Sequence, residues 1–118
     1  MSKTPEYLDS STTDDHISTR LRVPDDLAHT EGHFEGAPIV PGVVLIDWAL
    51  TLASDTFSEM PKLSEIRNVK FKKPLQPGDT CTLEINWNAN QNTLRFTFKN
   101  GEQIRAKGTF RMSDTQDR

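Results

Sequence analysis

Thirteen consecutive residues constrain this chain more than any others. Pro41-Gly42-Val43-Val44-Leu45-Ile46-Asp47-Trp48-Ala49-Leu50-Thr51-Leu52-Ala53 is apolar at almost every position. Laid on a helix, the stretch has no polar face, and a helix of that kind is a buried one. The rest of the chain must therefore wrap around it. Asp47 is the exception, and a buried, unpaired carboxylate costs several kcal/mol or keeps its proton. Asp47 is thus expected to be buried and to do chemistry. Fourteen residues earlier stands His33, in Gly32-His33-Phe34-Glu35-Gly36-Ala37-Pro38-Ile39-Val40-Pro41-Gly42. An imidazole and a buried carboxylate are the minimum equipment for moving protons, so the pattern points to an enzyme.

The helix reads from about Gly42 to Phe57, with Pro41 suited to its first turn and Pro61 beyond its end. Before it, Ile17 to Val23 alternates apolar and polar residues up to Pro24, a strand signal. Asp25 to Val40, with its glycines, Pro38 and acids, is a long loop of the kind that tends to be functional. After Pro61 the period changes to two. Ile66, Val69 and Phe71 mark one strand, and Leu75-Gln76-Pro77-Gly78-Asp79 a turn with Pro and Gly in type II order. Cys81, Leu83, Ile85 and Trp87 then alternate with polar residues, as do Leu94, Phe96 and Phe98. Asn100-Gly101 signals a hairpin, and Gln103 to Met112 is the last strand. The expected class is α+β, an antiparallel sheet whose apolar face wraps one long central helix.

At 118 residues this is one domain's worth of chain. Residues 1–16 show no periodicity and are expected to lack regular structure; 17–112 form the domain and 113–118 a polar tail. A hydrophobic fraction of 34% and a mean hydropathy of -0.62 fit a small core with solvated ends. No run approaches the roughly 20 apolar residues of a membrane span. A formal charge of -3 argues against a general nucleic-acid binder. Cys81 is the single cysteine, which excludes an internal disulfide and a cysteine-based metal cluster. With no secretory leader at Met1-Ser2-Lys3-Thr4-Pro5-Glu6, the expected location is the cytoplasm.

Gly32-His33-Phe34-x-Gly36-x-Pro38-Ile39-Val40-Pro41-Gly42-Val43 resembles the signature of the hot-dog-fold 3-hydroxyacyl-acyl-carrier-protein dehydratases of the FabZ and FabA type. Val69-Lys70-Phe71-Lys72-Lys73-Pro74-Leu75-Gln76-Pro77-Gly78-Asp79 resembles the same family's second landmark, in the same order. The Asp47-Trp48 pair and the short length are most similar to the small dehydratases found with aryl polyene synthesis. The resemblance implies loss of water from a 3-hydroxyacyl thioester, without a cofactor or metal. His33 would take the C2 proton, and Asp47 would orient or protonate the leaving oxygen. The amide of Gly42 would receive the charge growing on the thioester oxygen, as the unpaired amides of a helix start can. The carbonyl of Ile39 would hold the His33 ring. A cis bond between His33 and Phe34 would mark a strained functional loop. In relatives the histidine and the acid come from different subunits. The resemblance therefore implies a homodimer or higher oligomer with shared sites, serving an acyl carrier protein. An acyl tunnel would be lined by Phe34, Val43, Ile46 and Leu50.

Several positions depart from the family pattern. Glu35 replaces the usual proline, Ala37 a commonly charged residue, and Thr51 a glutamine one helical turn after the acid; His29 holds a usually aromatic or apolar place. A metal held by His29 and His33 lacks a third ligand in sequence. Lys70, Lys72 and Lys73, with Arg67, either steer an acidic carrier or form a solvated face. Trp48 and Trp87 read as core. Two rival functions remain open. One is a hot-dog thioesterase, in which the helix carboxylate activates water; the other is a non-catalytic acyl-binding subunit of a synthase complex.

Overall fold

In a computed structural model of the protein, residues 4–26, 39–57 and 61–113 are described. They form, in chain order, β1 (Glu6–Thr12), β2 (His16–Arg22), α1 (Gly42–Thr56), β3 (Leu63–Phe71), β4 (Thr80–Asn88), β5 (Thr93–Asn100) and β6 (Gln103–Met112). The strands make one antiparallel sheet in the order β1-β2-β4-β5-β6-β3. Alternation sets its two faces. Leu83, Ile85, Leu94, Phe96, Phe98, Ala106 and Phe110 point to one side, where they meet Val44, Leu45, Trp48, Ala49 and Ala53 of α1. Phe96 stacks on Phe110 at 5.1 Å between ring centres and meets Phe98 edge-on at 5.9 Å. Trp48 is wholly enclosed, and such rings supply most of the burial that offsets chain ordering.

Two expectations need correction. The first sixteen residues are not without structure, because β1 lies there, paired antiparallel to β2. Its residues are all exposed, so no alternation betrays it in the sequence. The second concerns α1, which is covered on one face only. Val43, Asp47, Thr51 and Ser54 are exposed on the other. Asp47 is therefore not buried in the single chain. A single sheet can wrap one side of a helix, and an apolar residue such as Val43, 71% exposed, is left for something else to cover.

Three backbone ties place the start of α1. The amide of Val40 donates to the carbonyl of Leu75 at 2.8 Å, joining the segment before the helix to the loop after β3. The amides of Gly78 and Val23 donate to Val23 and Asp79 carbonyls, both at 2.8 Å, fastening that loop to the end of β2. Gly78 has φ +91, the left-handed value the second central position of the expected turn demands. Among the described residues no helix is long and apolar enough to cross a membrane.

Candidate active site

The helix opens at Gly42, with Pro41 extended before it and no side chain capping it. The first amides of a helix have no carbonyl one turn back to bond, so this end is a standing set of donors. Over it lies a cavity of about 430 Å³, lined by Ile39, Val40, Gly42, Val43, Leu45, Phe71, Lys73 and Pro74. Four expected site residues are thus placed. Gly42, Ile39 and Val43 share the cavity wall, and Asp47 sits one helical turn past Val43 on the same exposed flank. His33 and Phe34, the expected cis bond between them, and Glu35, Ala37 and His29 lie outside the described residues. Ile46 and Leu50, expected in a tunnel, are half-buried against the core.

Gly42 has a reason to be glycine that sequence reading missed. A Cβ there would stand 2.5–2.9 Å from three atoms of the Phe71 ring. The ring of Phe71, 51% exposed, lies over the helix start. The space above the glycine, expected to admit substrate, is thus shared with a side chain at the end of β3. Nothing local in the sequence distinguishes Phe71 from any other strand phenylalanine.

Tyr7 was also missed, because it falls in the stretch expected to be unstructured. Its register partner on β2, Leu21, is fully buried on the helix side of the sheet, so Tyr7 faces α1. At 41% exposed its side chain is still partly covered there, and that burial, followed by the negative charges of Asp55 and Asp47, pushes its phenol up to about 12. Tyr7 therefore keeps its proton at any working pH and adds an uncharged polar group beside the acid. By contrast, Cys81 is sunk under the sheet, and burial raises its thiol to about 12, which leaves it chemically idle.

The basic residues of the second landmark part company. The guanidinium of Arg67 is held by Glu65 at 3.0 Å. Lys73 reaches the cavity wall, while Lys70 and Lys72 are exposed. A larger groove, about 640 Å³, lies between the β1–β2 and β4–β5 turns and is lined by polar residues including Asp14, Asn88 and Arg95. It contains none of the expected site residues.

These features match known proteins. Residues 9–109 fit the family model described as ApeI dehydratase. The chain is 33% identical over 84 residues to a 3-hydroxyacyl-[acyl-carrier-protein] dehydratase FabZ of Levilactobacillus brevis, covering 63% of this chain and 57% of that protein. It spans about half the length of the curated relatives it matches. Among solved structures it resembles the dehydratase heterocomplex ApeI:P from Xenorhabdus doucetiae, with a TM-score of 0.86 and 30% identity over 92% of this chain and 97% of that one. Zebra fish thioesterase superfamily member 2, with a TM-score of 0.63 and 12% identity over 91% and 78% of the two chains, shares the fold alone. With its six-stranded sheet around one central helix and its family match over residues 9–109, the chain is a hot-dog domain and belongs to the ApeI-like dehydratase family.

Proposed function

We propose that this protein dehydrates 3-hydroxyacyl thioesters carried on an acyl carrier protein to the trans-2-enoyl form. His33 removes the C2 proton, and Asp47 holds or protonates the departing C3 hydroxyl. The Gly42 amide stabilises the charge on the thioester oxygen, and the chain binds in the cavity beside Val43, with Phe34 and Ile39 completing the pocket. The observation that carries this reading is Asp47 itself. It is a carboxylate on an exposed helix flank whose other members include Val43, one turn from the cavity at the helix start. That flank and the edge of β3, which pairs with no further strand among the described residues and leaves Leu63, Ile66 and Phe71 exposed, call for a second subunit. Closing them would take Asp47 out of bulk water and set it against the second subunit.

A second reading draws on the heterocomplex among the similar structures. On that reading the covering subunit is a different protein and this chain is the non-catalytic member. One experiment separates the readings: mass spectrometry of 3-hydroxyacyl carrier protein incubated with wild type, His33→Ala and Asp47→Asn. Loss of water abolished by both substitutions supports the proposal. Release of free acid would replace it with thioester hydrolysis. Binding of the acyl carrier without turnover, across several chain lengths, would favour the partner-subunit reading.

A further inference from the structure

β6 carries one residue more than the strand it pairs with. Phe98 of β5 lies across from Ala106 and Lys99 across from Ile104, so Arg105 is the extra residue of a β-bulge. A bulge bends its strand and re-aims a side chain. Here both ends of Arg105 meet the segment that leaves β3. The carbonyl of Arg105 accepts the amides of Lys72 at 2.8 Å and Lys73 at 3.1 Å. Its guanidinium donates from Nη1 to the carbonyl of Pro74 at 2.8 Å. One residue thus holds three consecutive residues, and Lys73 and Pro74 among them line the cavity at the helix start. The path continues through Leu75, whose carbonyl receives the amide of Val40, two residues before Gly42. Phe71, whose ring lies over Gly42, pairs with Ala106, the residue after the bulge.

We infer that Arg105 is a positioning residue, fixing the Phe71–Pro74 wall of the cavity at the spacing from Gly42 that a bound thioester needs, a role that rests on the dehydratase reading above. It touches no reacting atom and acts through the backbone it holds. A displacement of about 1 Å at such a wall can cost about a hundredfold in rate. Stability alone does not account for an arginine at this place. Its Nε is buried with no acceptor among the described residues, and a buried donor left unpaired is unfavourable. An apolar side chain of similar length would avoid that cost but could not reach Pro74 with a donor. Lysine is a poor substitute as well, because its ammonium is a compact, strongly hydrated charge rather than a planar fork. No local signal in the sequence marks Arg105, which stands 31 residues from Pro74 on an alternating strand.

The test compares Arg105→Met with wild type by melting temperature, by turnover of a 3-hydroxyacyl N-acetylcysteamine thioester, and by amide hydrogen exchange measured by NMR. Methionine removes the unpaired donor together with the bond to Pro74, so the melting temperature should stay within about 5 °C of wild type. Turnover should fall about tenfold to a hundredfold, with the loss in kcat and KM held within about threefold. Exchange at Val40, Lys72 and Lys73 should quicken about tenfold while Phe96 and Phe98 hold, the mark of a local release rather than a general weakening. Unchanged kcat in the folded variant overturns the assignment, as does a loss confined to KM. Exchange that quickens equally across the sheet also overturns it, by making the effect one of global stability. Should wild type itself turn over no thioester, the dehydratase reading fails, and exchange then decides the hold on the cavity wall. Quickening confined to Val40, Lys72 and Lys73 supports it; unchanged exchange there overturns it.

Discussion

Gly42 and Gly108 are two glycines with the same collision and different prospects. A methyl group at Gly42 would meet the Phe71 ring at 2.5–2.9 Å; one at Gly108 would meet the Phe96 ring and Val69 at 2.7–2.9 Å. Phe71 is half-exposed and can swing outward, whereas Phe96 is 1% exposed and stacked on Phe110. Turning Phe71 out forfeits about half of a phenylalanine's burial, on the order of 1 kcal/mol. Alanine in a helix returns up to about 1 kcal/mol over glycine, less in the first turn. Gly42→Ala should therefore leave stability within about 1 kcal/mol of wild type, while Gly108→Ala should lose about 1–3 kcal/mol to overpacking. Activity should separate the other way. The added methyl and the displaced ring crowd the donors at the helix start, so kcat/KM of Gly42→Ala should fall about a hundredfold, the scale of losing an oxyanion donor. Urea denaturation and steady-state turnover of the thioester measure the two quantities. A Gly42→Ala protein as unstable as Gly108→Ala would refute the claim that Phe71 can yield. A stable and fully active one would refute the role of the helix start.

Cys81 links stability to pH. Its thiol titrates near 9 when unfolded and is raised to about 12 by burial. Between those values the unfolded chain releases a proton that the folded chain keeps, so stability is intact below pH 9 and declines above it. At pH 10.5 the loss is about 2 kcal/mol, and Tyr7 adds to it in the same direction above 10. Urea melts at pH 8 and 10.5 should show a smaller alkaline loss for Cys81→Ala; an equal loss would mean that the thiol is not the titrating group. Ile66→Glu, on the exposed edge of β3, should cost the single chain under about 1 kcal/mol but weaken self-association. Sedimentation velocity should show a shift toward monomer, and an unchanged oligomer would place the subunit contact elsewhere.

The helix, its start and the strands after it were legible because their signals are local. Pro41 and Gly42 mark the entry, alternation marks β2, β4, β5 and β6, and Pro77-Gly78 marks a turn that the φ of Gly78 bears out. What could not be read depends on pairing between distant segments. β3 follows α1 in sequence and precedes β4, yet it lies beside β6 at the far edge. That placement sets Phe71 over Gly42 and Lys70 across from Lys107. β1 was invisible because an edge strand exposed on all its residues needs no apolar alternation. The exposure of Asp47 was misjudged for a related reason. An all-apolar helix says that every face will be covered, but not that the chain's own sheet covers only one of them.

The central claim is that His33 of one copy works with Asp47 of another. Subunit complementation tests it most directly. His33→Ala and Asp47→Asn, each inactive alone, are co-expressed with separate tags, and the mixed dimer is isolated and assayed on 3-hydroxyacyl carrier protein. Each mixed dimer then has one site with both residues intact and one with neither. The account predicts about half of wild-type activity per purified mixed dimer, and about a quarter in the unfractionated mixture. A mixed dimer that assembles and stays inactive would contradict it, placing the two residues in one chain or the site with a different partner.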